Sequence, residues 1–137
     1  MVSLISENNN SNDSAAVKVR LRNVYKVFGT DAGRALEMAR AGKSKSEIHA
    51  STGCTIGVDD AGFDIMAGET FVIMGLSGSG KSTLLRLLNR LIEPTAGVIE
   101  IDGRDITKMS KRDLIELRRR DMSMVFQSFA LLPNRSV

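Results

Sequence analysis

The stretch "TFVIMGLSGSGKSTLLRLLNRLIEP", Thr70 to Pro94, constrains the fold more than any other part of this chain. Thr70 to Met74 is a continuous apolar run with β-branched and aromatic members, which predicts a strand buried on both faces. Gly75, Leu76, Ser77, Gly78, Ser79, Gly80, Lys81 and Ser82 match the pattern G-x-x-x-x-G-K-[ST] at every fixed position. Leu84, Leu87, Leu88 and Leu91 then recur at helical spacing, and the helix is predicted to stop near Glu93 because Pro94 disfavours helix in the residue before it. A buried strand, a glycine loop and a helix in that order define an α/β arrangement with the loop at the strand's carboxyl end.

The chemistry of that loop follows from its residue types. Several backbone N–H groups must turn toward one anion, and side chains at Gly78 or Gly80 would obstruct the approach. The helix that begins near Gly80 adds its own unpaired N–H groups to the same concavity. Lys81 is placed to reach the β and γ phosphates of a nucleotide, Ser82 to ligate Mg²⁺ and Thr83 to hydrogen-bond the α phosphate. A ligand-free glycine turn explains neither the lysine nor the serine. A dinucleotide site is disfavoured because "GSGKST" has no third glycine, and a lysine suits terminal phosphates better than a pyrophosphate. The loop by itself leaves a GTPase, a small-molecule kinase and an ATP-driven motor open.

The flanks supply the rest of the architecture. Val17, Val19 and Leu21 alternate with Lys18, Arg20 and Arg22, the period of a strand with one wet face, and an outer strand is expected there. "VYKVFG" ends at Gly29, and "DAGRALEMARAG" is rich in helix formers. Ser44 with Glu47 forms a possible capping box for a second short helix ending near Gly53. "CTIGVDDAGFDIMAGE" reads as strand, turn and strand, "GVIEIDG" as a short strand, Ser110 as the cap of a helix through about Arg119, and "MSMVFQ" as a return to strand.

Two regions together, "GLSGSGKSTLLRLLNRLIEPTAGVIEIDG" and "MSMVFQSFALLPNRSV", resemble the ATP-binding subunits of ABC transporters. The insertion "ALEMARAGKSKSEIHASTGCTIGV" is similar to that of importers for glycine betaine, L-proline or other quaternary amines. The resemblance implies a P-loop NTPase of the ABC nucleotide-binding type, with an antiparallel β subdomain and a helical insertion. It implies ATP and Mg²⁺ as cofactors, with Gln127 as the Q-loop glutamine that approaches Mg²⁺ and the attacking water. Phe28 matches the aromatic that stacks on adenine; a core role for Phe28 and stacking by Tyr25 stay open. The implied partners are a transmembrane permease subunit, a periplasmic or lipid-anchored solute-binding protein and a second copy of the full-length subunit, at the cytoplasmic face of a bacterial membrane. His49 matches no catalytic position of that family and reads as a surface helix histidine.

Residues 1–16 read as a disordered tail and residues 17–137 as an incomplete nucleotide-binding domain. The sequence reaches Val137 before the signature motif, the Walker B strand and the switch histidine that the family carries, so the expectation is a fragment that is inactive alone. The alternative is a truncated, non-catalytic nucleotide-binding or interaction module. With 42% hydrophobic and 26% charged residues the composition is that of a globular protein, and no apolar run is long enough to span a bilayer. Cys54, the one cysteine, excludes an internal disulfide and reads as a small buried residue. The net charge of +3 is modest, and the basic residues from Arg104 to Arg120 read as a solvated helix face, not a nucleic-acid surface.

Overall fold

The computed structural model describes residues 3–7 and 16–125. Strands β1 (Ser3–Glu7), β2 (Val17–Phe28), β3 (Thr55–Met66), β4 (Thr70–Met74), β5 (Ala96–Ile101) and β6 (Arg104–Asp105) are interleaved with helices α1 (Ala32–Arg40), α2 (Lys45–Thr52), α3 (Lys81–Leu88) and α4 (Lys111–Asp121). One antiparallel sheet has the order β3-β2-β5-β6, and a separate two-stranded ribbon pairs β1 with β4.

Strand β2 is central in its sheet, a correction to the outer strand expected from its alternation. Its register sets Arg20 opposite both Asp64 on β3 and Glu100 on β5. The charged residues are wet on a face, not at an edge. Lys18 pairs with Asp102 at 2.8 Å, Arg22 with Asp64 at 2.8 Å and Arg20 with Asp64 at 3.3 Å. The opposite face carries Leu21 and Val24, which pack with Ile99 and Ile101 against Leu84 and Leu87 of α3 and Leu114 and Leu117 of α4. A second cluster of Val27, Ala35, Ile48, Cys54 and Ile56 seats α1 and α2 against the far end of the sheet. Cys54 is fully buried there, as expected.

Local signals account for several boundaries. The Ser44 side chain accepts from the Glu47 N–H while the Glu47 carboxylate accepts from the Ser44 N–H, the reciprocal box that starts α2, and Gly53 ends it in the left-handed region. Ser110 caps α4 by accepting from the Asp113 N–H. The two strands expected from "CTIGVDDAGFDIM" are a single strand, β3; the expected turn is an irregularity in which Asp60 takes φ 48° and the register with β2 shifts.

Helix α3 stops at Leu88, well before the proline expected to end it. Arg90 adopts φ 45°, its N–H donates to the Leu87 carbonyl at 2.8 Å, and the Leu91 N–H donates to the Arg86 carbonyl at 2.8 Å. That is a Schellman closure. Arg118 of α4 donates to the Asn89 and Arg90 carbonyls, and the Arg90 guanidinium donates to the carbonyls of Ile106 and Met109. Two arginines thus tie the end of α3 to the β6–α4 connection.

Strand β4 is not buried on both faces. Phe71 stacks on Phe63 at 4.7 Å between ring centroids and Ile73 packs on the main core, while Val72 and Met74 are 43% and 44% exposed. The tail expected to be disordered contributes β1, paired with β4 from Ser3 opposite Met74 to Glu7 opposite Thr70. The backbone N–H and C=O groups of β4 need partners, and β1 supplies them along one edge. Met122 to Val125 form no strand, and the remainder of the segment read as "MSMVFQ" lies outside the described residues.

Candidate functional site

The site is built where β4 ends. Main chain leaves the strand at Met74, turns through the glycine loop with the Ser79 N–H on the Leu76 carbonyl, and enters α3 with the Leu84 N–H on the Gly80 carbonyl at 2.8 Å. Gly78 and Gly80 take φ +77° and +97°, values that disfavour any side chain. Gly80 has a second constraint: a Cβ there would overlap the carbonyl oxygen of Gly57 on β3. Open space surrounds Gly78, so only its backbone angle demands glycine.

Electrostatically, the loop is prepared for an anion. No side chain caps the N-terminus of α3, and its first turn contains no acidic residue, so the helix's positive end is left unneutralised at the loop. The Lys81 ammonium folds back over the loop and donates to the carbonyls of Gly75 at 2.8 Å and Leu76 at 2.6 Å and to the Ser79 hydroxyl at 3.3 Å. A strong acceptor in the concavity competes directly for those donors. Ser82 is exposed in the first turn of α3, and its hydroxyl has no protein hydrogen bond among the described residues. Thr83, beside it, is half-buried, Ser77 is exposed and Leu76 projects almost fully into solvent.

Phe28 lies at the end of β2, outside both core clusters and 43% exposed, which settles against the core role left open from sequence. Its ring edge passes over Gly57, where a Cβ would come within 2.6 Å of Phe28 Cε2 and 3.3 Å of Thr83 Cγ2. The structure therefore brings the aromatic ring and the first turn of α3 together over one glycine. Tyr25 is enclosed, with burial first and Asp60 second raising its phenol above the ordinary value, so it offers no open face for stacking. Gln127, expected beside Ser82, lies outside the described residues. His49 is exposed on α2, with Nδ1 3.1 Å from the Cys54 carbonyl and no part in the loop.

A cavity of about 430 Å³ flanks the loop, lined by Lys45, Asp59, Asp60, Phe63, Ser79 and Gly80 among others. Neither Lys81 nor Ser82 lines it, and its two carboxylates would repel phosphate, so this cavity is unsuited to an anion. Sequence reasoning passed over Gly57 and Lys26. Lys26 Nζ stands 5.2 Å from the Phe28 ring centroid and donates to the Glu93 carbonyl at 2.8 Å. A glycine inside a strand, between Ile56 and Val58, was the available signal for a close approach at Gly57.

Known proteins agree with this geometry. Residues 58–137 match the family described as ABC transporter. The chain is 54% identical to the glycine betaine/carnitine transport ATP-binding protein GbuA of Listeria monocytogenes, over 88% of this chain and 30% of the relative. It is 56% identical to the glycine betaine transport ATP-binding protein OpuAA of Bacillus subtilis, over 91% of this chain and 30% of the relative. Against the glycine betaine/proline betaine transport system ATP-binding protein ProV of Escherichia coli it is 55% identical, over 89% and 30% respectively. The chain thus spans under a third of the length of these relatives. A dimeric ATP-binding cassette solved in a post-hydrolysis state with ADP and phosphate superimposes with TM-score 0.62 at 28% identity, over 85% of this chain and 41% of that one. The glycine loop, the antiparallel sheet beside it and these matches place the chain in the ABC transporter family, with the fold of the N-terminal part of an ABC ATPase.

Proposed function

We propose that this chain is the ATP-binding part of an importer ATPase subunit that energises uptake of glycine betaine, proline or a related quaternary amine across the bacterial cytoplasmic membrane. The observation that carries the reading is the complete phosphate loop, with Lys81 folded into it and the N-terminus of α3 left uncapped. The choice of solute rests on the likeness to GbuA, OpuAA and ProV.

In this reading the backbone from Gly75 to Gly80, including Leu76, Ser77, Gly78 and Ser79, wraps the phosphates. Lys81 exchanges its loop carbonyls for the β and γ oxygens, Thr83 binds the α phosphate, and Phe28 stacks on the base. The Ser82 hydroxyl fits an Mg²⁺ ligand, because a hard cation prefers oxygen donors and this one has no competing hydrogen bond among the described residues. Gln127 is assigned beside it by position in the sequence alone. Bound Mg²⁺ would neutralise phosphate charge during hydrolysis. A permease subunit, a solute-binding protein and a second ATPase subunit complete the machine at the cytoplasmic face of the membrane. No described helix is long and apolar enough to cross that membrane, as suits a peripheral subunit.

The test is a chimaera in which this chain replaces the matching part of the B. subtilis relative, in cells lacking that subunit. Uptake of labelled glycine betaine that disappears with Lys81→Ala is expected. A stably expressed chimaera that leaves uptake at background would contradict the reading.

A further inference from the structure

We infer that Lys26 and Gly57 are positioning residues for the Phe28 ring and set how strongly this site distinguishes a nucleotide from a bare triphosphate. The inference rests on the nucleotide reading above and deepens it at the base end of the site.

Phe28 is the last residue of β2, paired with Thr55 of β3 through its backbone, and its side chain belongs to neither core cluster. A half-exposed phenylalanine in that position is free to change rotamer unless something else fixes it. Two contacts do so. The first is a space. Gly57 has an ordinary backbone angle, so the strand itself does not require glycine, yet an added Cβ would sit 2.6 Å from Phe28 Cε2 and 3.3 Å from Thr83 Cγ2. The missing side chain is what lets the ring lie against β3 beside the first turn of α3.

The second contact is a charge. Lys26 projects from the same strand two residues earlier, and its ammonium stands 5.2 Å from the ring centroid, within the range of a cation–π attraction. Its donation to the Glu93 carbonyl at 2.8 Å fixes the ammonium in place. Glu93 follows the Schellman turn that ends α3, so Lys26 links the ring to the far end of the helix whose N-terminus faces the phosphate loop. A ring held this way presents its π surface without first losing rotamer freedom when a base arrives.

Lys26 touches no phosphate-binding group of the loop, which separates its effect from that of Lys81, whereas Gly57 adjoins Gly80 and Thr83, so Lys26→Met carries the separation and Gly57→Ala tests the space for the ring. The measurement is equilibrium binding of ATP and of inorganic tripolyphosphate, each with Mg²⁺, to the unsubstituted chain and to Lys26→Met, Lys26→Arg and Gly57→Ala. Lys26→Met and Gly57→Ala are expected to weaken ATP binding roughly threefold to tenfold, the worth of one aromatic contact, while tripolyphosphate binding to Lys26→Met stays within a factor of about two. Lys26→Arg keeps a cation over the ring and is expected to retain the unsubstituted ratio. An unchanged ratio of the two affinities in both Lys26→Met and Gly57→Ala would overturn the inference, and so would an equal loss for both ligands in Lys26→Met, which would mean a general effect on the loop. Failure of the unsubstituted chain to bind ATP at all would instead sink the nucleotide reading, and this inference with it.

Discussion

The four-stranded sheet and the segment running from β4 through α3 meet in one core, yet they treat their polar groups in opposite ways. In the sheet, charges on the wet face find partners across strands: Arg20 and Arg22 share Asp64, and Lys18 takes Asp102. In the loop, backbone donors at the start of α3 have no side-chain cap, the Ser82 hydroxyl has no hydrogen-bond partner among the described residues, and Lys81 is held by carbonyls that a phosphate can displace. The sheet satisfies its own charges, whereas the proposed function has the loop satisfied by a ligand. Substitutions should therefore separate into those that cost stability and those that cost binding.

The largest stability effect is expected where the two regions meet. Leu87 of α3 is fully buried against the sheet, and Leu87→Ala should cost about 2–5 kcal/mol in chemical or thermal unfolding, lowering apparent ATP affinity only through loss of folded protein. Within the loop, Gly80→Ala meets both a positive φ and the Gly57 carbonyl, and should cost about 1–3 kcal/mol and abolish tight nucleotide binding. Gly78→Ala, with the same sign of φ but open space around it, should cost about 1 kcal/mol in stability. Equal destabilisation by the two alanines would mean that the contact with β3 is unimportant.

The arginine ties come next in size. Arg90→Ala strands the Ile106 and Met109 carbonyls and should cost about 1–3 kcal/mol, whereas removing its exposed ion-pair partner by Glu93→Ala should cost well under 1 kcal/mol. Denaturation midpoints of the two variants test this directly.

The smallest effect concerns Asp64, whose carboxyl is held below its ordinary value first by the hydrogen bond from Arg22, against a burial penalty, and then by Arg20. A depressed pKa means that the folded state holds its proton less tightly than the unfolded chain. The contribution is present above the ordinary carboxylate pKa and is lost as pH falls through the depressed one. Asp64→Asn should therefore flatten the acid limb of a stability-against-pH profile and leave nucleotide affinity unchanged. A change in ATP affinity in this variant would break the separation between sheet and loop.

Features governed by neighbouring residues were legible from the sequence. The Ser44–Glu47 box, the Ser110 cap and the phosphate loop each depend on contacts within a few positions, and each appears where the pattern puts it. Features governed by distant partners were not. Alternation in Val17 to Arg22 reports a wet face and cannot tell an edge strand from a central one, because the pairing charges Asp64, Glu100 and Asp102 lie far along the chain. The early end of α3 depends on Arg118, and the pairing of β1 depends on β4. Strand β6 had a local signal that went unread: Asp102 and Gly103, both at positive φ, form the two-residue turn that an Asp-Gly pair favours. At the site, Lys81, Ser82 and the glycines came from the motif, while the seating of Phe28 over Gly57 required the fold.

The central claim is that the loop's unsatisfied donors are there for a nucleotide's phosphates. Equilibrium binding of ATP with Mg²⁺, by calorimetry on the unsubstituted chain and on Lys81→Ala, tests it most directly. Among the described residues Lys81 bonds only within the loop, so its removal should leave the unfolding midpoint nearly unchanged while lowering ATP affinity by roughly tenfold to a hundredfold, the worth of a charged hydrogen bond to phosphate. ATP binding of equal strength in the two proteins would contradict the account.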